Sequence, residues 1–153
     1  MERQFVIDNT RERERLRKLV NEIADKELNF VIYKEGLTIA AVLGHVAFWD
    51  ERRRVLLRKW KQKGVTPSGI TDDDVDPING ALSPFLLAIP PRKLAEMAIS
   101  IAETLDSELE KISPDLIAAI EALGDSHALN RSIHRKPHLD EIDVFLKARR
   151  ARK

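Results

Sequence analysis

The residues best suited to chemistry in this chain are three histidines: His45 in "GLTIAAVLGHVAFWDERR", and His134 and His138 in "NRSIHRKPHLDEI". The sequence holds four histidines and no cysteine, which excludes thiolate metal sites, disulfides and cysteine nucleophiles. On a helix, residues four apart lie within about 6 Å of each other, the spacing at which two imidazoles can share one metal ion. A third imidazole from a facing helix would complete a three-histidine site with one or more positions open to water or substrate. Zinc, nickel and iron(II) all suit imidazole, and a divalent ion so held lowers the pKa of a bound water or thiol and polarises a carbonyl. Two plainer readings stand beside this one. A histidine on an apolar face is commonly a hydrogen-bonded core or rim residue, and an H-x-x-x-H pair arises in many helices by chance.

The helical wheel places these histidines inward. With His45 at zero, Leu56 falls at about 20° and Trp49 at about 40°, so the imidazole lies inside the apolar stripe, as does Arg52 at about −20°. With His134 at zero, His138 falls at about 40°, Phe145 at about 20° and Glu141 at about −20°. Arg52, Trp49 and Glu141 are therefore the expected neighbours of the site. Glu141 either orients His138 or a water, or is an acid on an exposed turn paired with a lysine. Arg52 either enters the pocket or extends from the stripe to water. His127 lies about 20° from His134 on an unbroken helix, as a rival ligand, a pocket residue or a surface histidine near the helix start.

Four long amphipathic segments must position these groups, and no convincing strand is present. The first helix is predicted from Thr10 through "RERERLRKLVNEIADKEL", and "NFVIYKEG" reads as helix end and loop. The second starts after Leu37 with Thr38 as cap and stops at Gly64; Gly44 inside it costs roughly 1 kcal/mol relative to alanine and implies close packing. Residues 61–90, rich in proline, glycine and aspartate, form a long connection with one short helix in "DPINGALSPFLLAI". The third helix is "PRKLAEMAISIAETLDSELEKI", followed by a short piece, "PDLIAAIEAL", and a last helix from Asp125 or Ser126 toward Arg150. This pattern predicts an all-α fold, a four-helix bundle with a long crossover between helices 2 and 3, as one domain spanning residues 1–153.

Composition sets the class of partner. Hydrophobic residues make up 43% and charged residues 33%, which fits a soluble globular protein. The charged N-terminus does not read as a signal peptide, and no apolar run approaches membrane-spanning length, so a cytoplasmic protein with no membrane partner is expected. A net charge of +1 offers nothing global to nucleic acid, and the local basic runs read as solvated faces.

"GLTIAAVLGHVAFWDERR" resembles the segment of DinB-like proteins in which a helix begins after a turn and a histidine precedes an aromatic and an acidic or arginine-rich turn. "NRSIHRKPHLDEI" is similar to their C-terminal H-x-x-x-H-L-x-x-I segment, and "VDPIN" (residues 75–79) to a crossover motif in which an aspartate and an asparagine recur. The similarity runs from about Thr10 to Lys147. It implies a four-helix bundle holding a divalent metal through His45, His134 and His138, and a relation to transferases and isomerases that use the metal to activate a small thiol cofactor. It also implies a homodimer. Without cysteine in the chain, any thiol would come from a low-molecular-weight cofactor such as glutathione, bacillithiol or mycothiol. Pro137 departs from the pattern, because it removes the helix hydrogen bond to the carbonyl of Ile133; a helix beginning at Pro137 would leave His134 on a loop.

Three function classes follow. The first is a metal-dependent enzyme, a thiol-dependent transferase, isomerase or hydrolase acting on a small electrophilic molecule. The second is a non-catalytic small-molecule-binding or stress-protection protein using the same cavity. The third is a bundle with a structural or partner-binding role.

Overall fold

A computed structural model of the chain describes residues 3–152. It is all-α: α1 (Gln4–Glu22), α2 (Asp25–Leu28), α3 (Ile39–Lys63), α4 (Asp72–Ala88), α5 (Pro91–Glu110), α6 (Pro114–Glu121) and α7 (Ser132–Ala151). Among the described residues extended pairing is limited to one isolated bridge, Val31 with Thr38, in the loop expected between the first two long helices. The core is made by α1, α3, α5 and α7 and resembles a four-helix bundle, with three shorter or peripheral helices added. No described helix is long and apolar enough to cross a membrane.

Several boundaries follow local chemistry. Thr38 Oγ1 accepts from the Ala41 amide at 3.1 Å and starts α3; Gly64, at φ 89°, ends it while its amide bonds the Trp60 carbonyl at 3.0 Å. Pro91 occupies the first turn of α5, where its missing N–H costs nothing. Gly44 is needed for packing: a Cβ there would stand 2.7 Å from Leu94 Cδ2 and 2.9 Å from Leu86 Cδ2. Small residues continue this theme on α5, where Ala95, Ala98 and Ala102 are fully buried between the larger leucines.

Four boundaries depart from the sequence-based expectation. The first helix, expected through Leu28, stops at Glu22, where Ile23 turns extended at ψ 134° and Asp25–Leu28 form the separate short helix α2. The first helix begins at Gln4, six residues before Thr10, because its opening turns pack on the fold: Phe5 covers the cluster around Leu109 and Ile120, Arg3 Nη1 donates to the Ile112 carbonyl at 3.1 Å, and Asn9 is buried. The crossover carries a 17-residue helix, α4, rather than a short one. Its first turn contains Asp72, Asp73 and Asp74, which favour a helix N-terminus, and Asp74 Oδ2 accepts from the Thr71 amide at 2.7 Å. Pro77 and Pro84 are accommodated inside it. The last helix starts at Ser132, not at Asp125 or Ser126, since its first amides, which have no partner within the helix, are capped from another helix: Asn9 Oδ1 accepts from Arg131 N at 2.7 Å and Ser132 N at 3.1 Å.

A charged layer crosses the interior. Arg135, fully buried on α7, donates through Nε to Asp50 Oδ2 of α3 at 3.0 Å and through both Nη atoms to Asp106 of α5 at 2.9 and 2.8 Å. Arg131 Nε takes the other Asp50 oxygen at 2.9 Å, and Arg13 of α1 adds a bond to Asp106 at 2.9 Å. This layer separates two apolar clusters, one containing Ile39–Ala47 of α3 with Leu94–Ala102 of α5, the other Leu56–Trp60 with Leu105–Ile112. Removing one partner strands a buried charge. Arg135→Met is therefore expected to lower unfolding free energy by about 3–5 kcal/mol, and Asp50→Ala and Arg135→Met together by less than the sum of the two, measured by urea denaturation.

Candidate metal centre

The charged layer lies within about a turn and a half of the histidines along both helices. Asp50 follows His45 by five residues on α3, and Arg135 follows His134 directly on α7, so the ion pair that joins these helices also sets where their imidazoles meet. His45 Nε2 and His134 Nε2 are 3.2 Å apart. The ring centroids of His138 lie 4.8 Å from His45 and 4.9 Å from His134, and one ligand atom from each of the three falls within 4.8 Å of the others. Pro137 does not break the arrangement, because α7 runs unbroken from Ser132 through it and keeps His134 and His138 one turn apart. The lost hydrogen bond falls on the carbonyl of Ile133, an exposed residue.

These residues fit a divalent metal. Two nitrogens each about 2.1 Å from one ion stand roughly 3.0–3.4 Å apart, which brackets the separation of the His45 and His134 Nε2 atoms. Burial holds the rings neutral, as ligands must be: it pushes the His45 pKa down to about 4, with His138 adding repulsion, and the His134 pKa to about 2, with Arg131 adding to it. Burial also lowers the His138 pKa, against the pull of Glu141. His134 Nδ1 is buried without a hydrogen-bond partner among the described residues.

The remaining expected residues distribute themselves unequally. Glu141 is exposed, yet it accepts a hydrogen bond from the Tyr33 hydroxyl, whose oxygen lies 3.5 Å from His138 Nδ1. With the tyrosine proton directed to Glu141, the same oxygen can accept from Nδ1–H, leaving His138 Nε2 as the lone-pair atom. Burial raises the Tyr33 pKa, and the bond to Glu141 adds to the shift, so the phenol stays protonated. Trp49 stands edge-on to His45, with ring centroids 6.5 Å apart, and donates Nε1–H to Asn79 Oδ1 of α4 at 2.9 Å. Asn79 thus ties the crossover to the site; Asp76 of the same motif is exposed. Arg52, partly exposed, lies over the Trp49 ring, donates to the Ser68 carbonyl at 3.1 Å and lines the cavity. His127 precedes α7, is exposed and stays outside the imidazole cluster, and it lines the far part of the same cavity.

Sequence reasoning missed Tyr33 and Arg53 as parts of this region, and had Asn79 as part of the crossover motif but not as a partner of Trp49. Tyr33 had one signal, as the sole tyrosine, but its partners are more than a hundred residues away. The three histidines open on a cavity of about 1050 Å³ walled by α3, α4, the 67–71 loop and the segment before α7. That volume lies at the upper end of small-molecule sites.

This geometry defines a helical protein with a three-imidazole centre at the end of a cavity. The model of the DinB superfamily matches residues 9–145, and the chain belongs to that superfamily. Comparison with the curated proteins finds no match, and comparison with the solved structures finds none.

The neutral imidazoles make the metal-free protein sensitive to acid. Unfolded His45 takes up a proton near its ordinary pKa of about 6.5, whereas the folded ring does so only near 4, so the unfolded chain binds more protons between these values. Stability is full above pH 6.5 and falls as pH drops toward 4, by about 1.4 kcal/mol per unit for each ring held neutral. Denaturant melts of chelator-treated protein at successive pH values are expected to show a shallower slope in His45→Asn than in the parent.

Proposed function

We propose that His45, His134 and His138 hold a divalent metal ion and that the adjoining cavity admits a small electrophilic molecule, making the protein a metal-dependent enzyme of the thiol transferase, isomerase or hydrolase type. The observation that carries this reading is the coincidence of three neutral, converging imidazoles with a cavity large enough for a second reactant. When bound, such an ion supplies Lewis acidity and lowers the pKa of a water or thiol.

The chain's own residues divide the rest of the work. His45 and His134 stay unprotonated well below neutral pH, so protons compete weakly for their lone pairs. Tyr33 and Glu141 fix the orientation and tautomer of His138. Trp49, held by Asn79, forms an apolar wall that positions a reactant near His45 and limits water there. The absence of cysteine requires any thiol to arrive as a low-molecular-weight cofactor. Zinc, nickel and iron(II) remain equivalent candidates on ligand type.

Metal analysis of protein purified without chelator is expected to find one divalent ion per chain, lost in His45→Ala while circular dichroism keeps its helical signal. An ion-free parent, or a variant that keeps its ion, overturns the reading. Tyr33→Phe is expected to weaken metal affinity by roughly 10- to 100-fold, read by competition with a chromogenic chelator, without changing the fold.

A further inference from the structure

The cavity continues past the histidines to a second group of polar residues that the metal reading does not use. Arg53 lies eight residues after His45 on α3, about 12 Å along the helix axis. Its side chain is 9% exposed, and it lines the cavity. Nη2 meets Asp125 Oδ2 at 3.2 Å, while Nη1 is buried without a hydrogen-bond partner among the described residues. An unpaired donor on a buried guanidinium is costly, and a ligand acceptor would remove the cost.

The ion pairing around it is incomplete. Arg52, partly buried in the same wall, donates to the neutral carbonyl of Ser68. Among the described residues Asp125 is the one carboxylate bonded to either arginine, and Asp72, an exposed residue, is the other carboxylate lining the cavity. Arg131, also lining the cavity, has its Nε committed to Asp50. Burial lowers the Arg53 pKa, with Arg131 adding repulsion against the pull of Asp125, and burial lowers that of Arg52, also against Asp125. The two tryptophans supply the apolar surface between the ends: Arg52 lies over the Trp49 ring and Arg53 over the Trp60 ring, at 5.8 and 6.0 Å from the centroids.

We infer that this end of the cavity is a carboxylate subsite: Arg53, with Arg52 beside it, takes the single carboxylate of a small molecule whose apolar body extends past the tryptophans toward the histidines. The inference names the substrate class for the proposed reaction chamber and rests on that reading for the role of the chamber, but its binding energy comes from Arg53 and not from a metal. A monoanion matches the one guanidinium of the pair, Arg52, that bonds a carbonyl and not a carboxylate. Guanidinium is suited to it, since a planar fork with one free arm adds a directed hydrogen bond to the charge attraction.

Titration of the full-length protein with 3-phenylpropionate, followed by the fluorescence of Trp49 and Trp60 and by calorimetry, tests it. The acid is expected to bind once per chain and at least tenfold more tightly than 3-phenylpropan-1-ol or inorganic phosphate. Arg53→Met is expected to weaken acid binding roughly 10- to 100-fold while leaving the alcohol unchanged. Arg52→Gln, on a less buried side chain, is expected to weaken it severalfold and serves where Arg53→Met does not fold by circular dichroism. Equal affinity for acid and alcohol, tighter binding of phosphate, or unchanged acid affinity in whichever variant folds overturns the subsite. Chelator-treated protein and metal analysis run in parallel separate the two readings. Acid binding retained by an ion-free protein leaves the subsite standing and removes the metal centre; binding abolished by chelation assigns the carboxylate to the ion and overturns the subsite.

Discussion

The ion pairs among Asp50, Arg131, Arg135 and Asp106 are the constraint on which the rest of the molecule depends. They sit where apolar packing alone would leave register undetermined, between two hydrophobic clusters of similar character along α3 and α5. Leucine and alanine surfaces can slide by a turn at modest cost, whereas a buried guanidinium with both forks occupied has one position in which its charge is satisfied. Arg135 reaches α3 and α5 at once, and Arg13 brings α1 to the same carboxylate. Such a layer contributes less to stability than an apolar one of equal volume would, and its value lies in fixing the relative placement of four helices.

That placement is what the imidazoles require. A three-residue site drawn from two helices tolerates errors of only a fraction of an ångström, and each histidine here is a near neighbour in sequence of a residue in the charged layer. Asn9 extends the same logic: its amide oxygen caps the start of α7, so α1 helps to decide where the helix bearing His134 begins. The cavity is a consequence of α4, which is held through Asn79 and Trp49 at one point and through Leu86, its one buried residue, at another. A helix attached in this way covers the end of the bundle without filling it.

Much of this was legible in local pattern. The limits of α3, the start of α5 and the inward direction of His45, His134 and His138 all follow from periodicity, a threonine cap and single glycines and prolines. Pro137 warned of a break that did not occur, because a helix otherwise anchored along its length can lose one hydrogen bond at an exposed carbonyl. The acidic run at Asp72–Asp74, taken as loop composition, is instead the first turn of a helix, where the same charges meet the helix dipole. The helical wheel singled out Arg52, yet it is only partly buried against Trp49, while its neighbour Arg53 is almost fully enclosed.

By itself the sequence determined the helical class, the two helices that carry the imidazoles and the ring positions facing inward, because those properties are set by the 3.6-residue period and by capping chemistry within a few residues. Only the tertiary structure decided that the three rings converge, that Tyr33 and Glu141 stand behind one of them, and that Arg53 is left with an unpaired donor beside the cavity. These depend on partners between 72 and 108 residues apart, whose distances are fixed by packing and by a buried charge layer that no local pattern encodes.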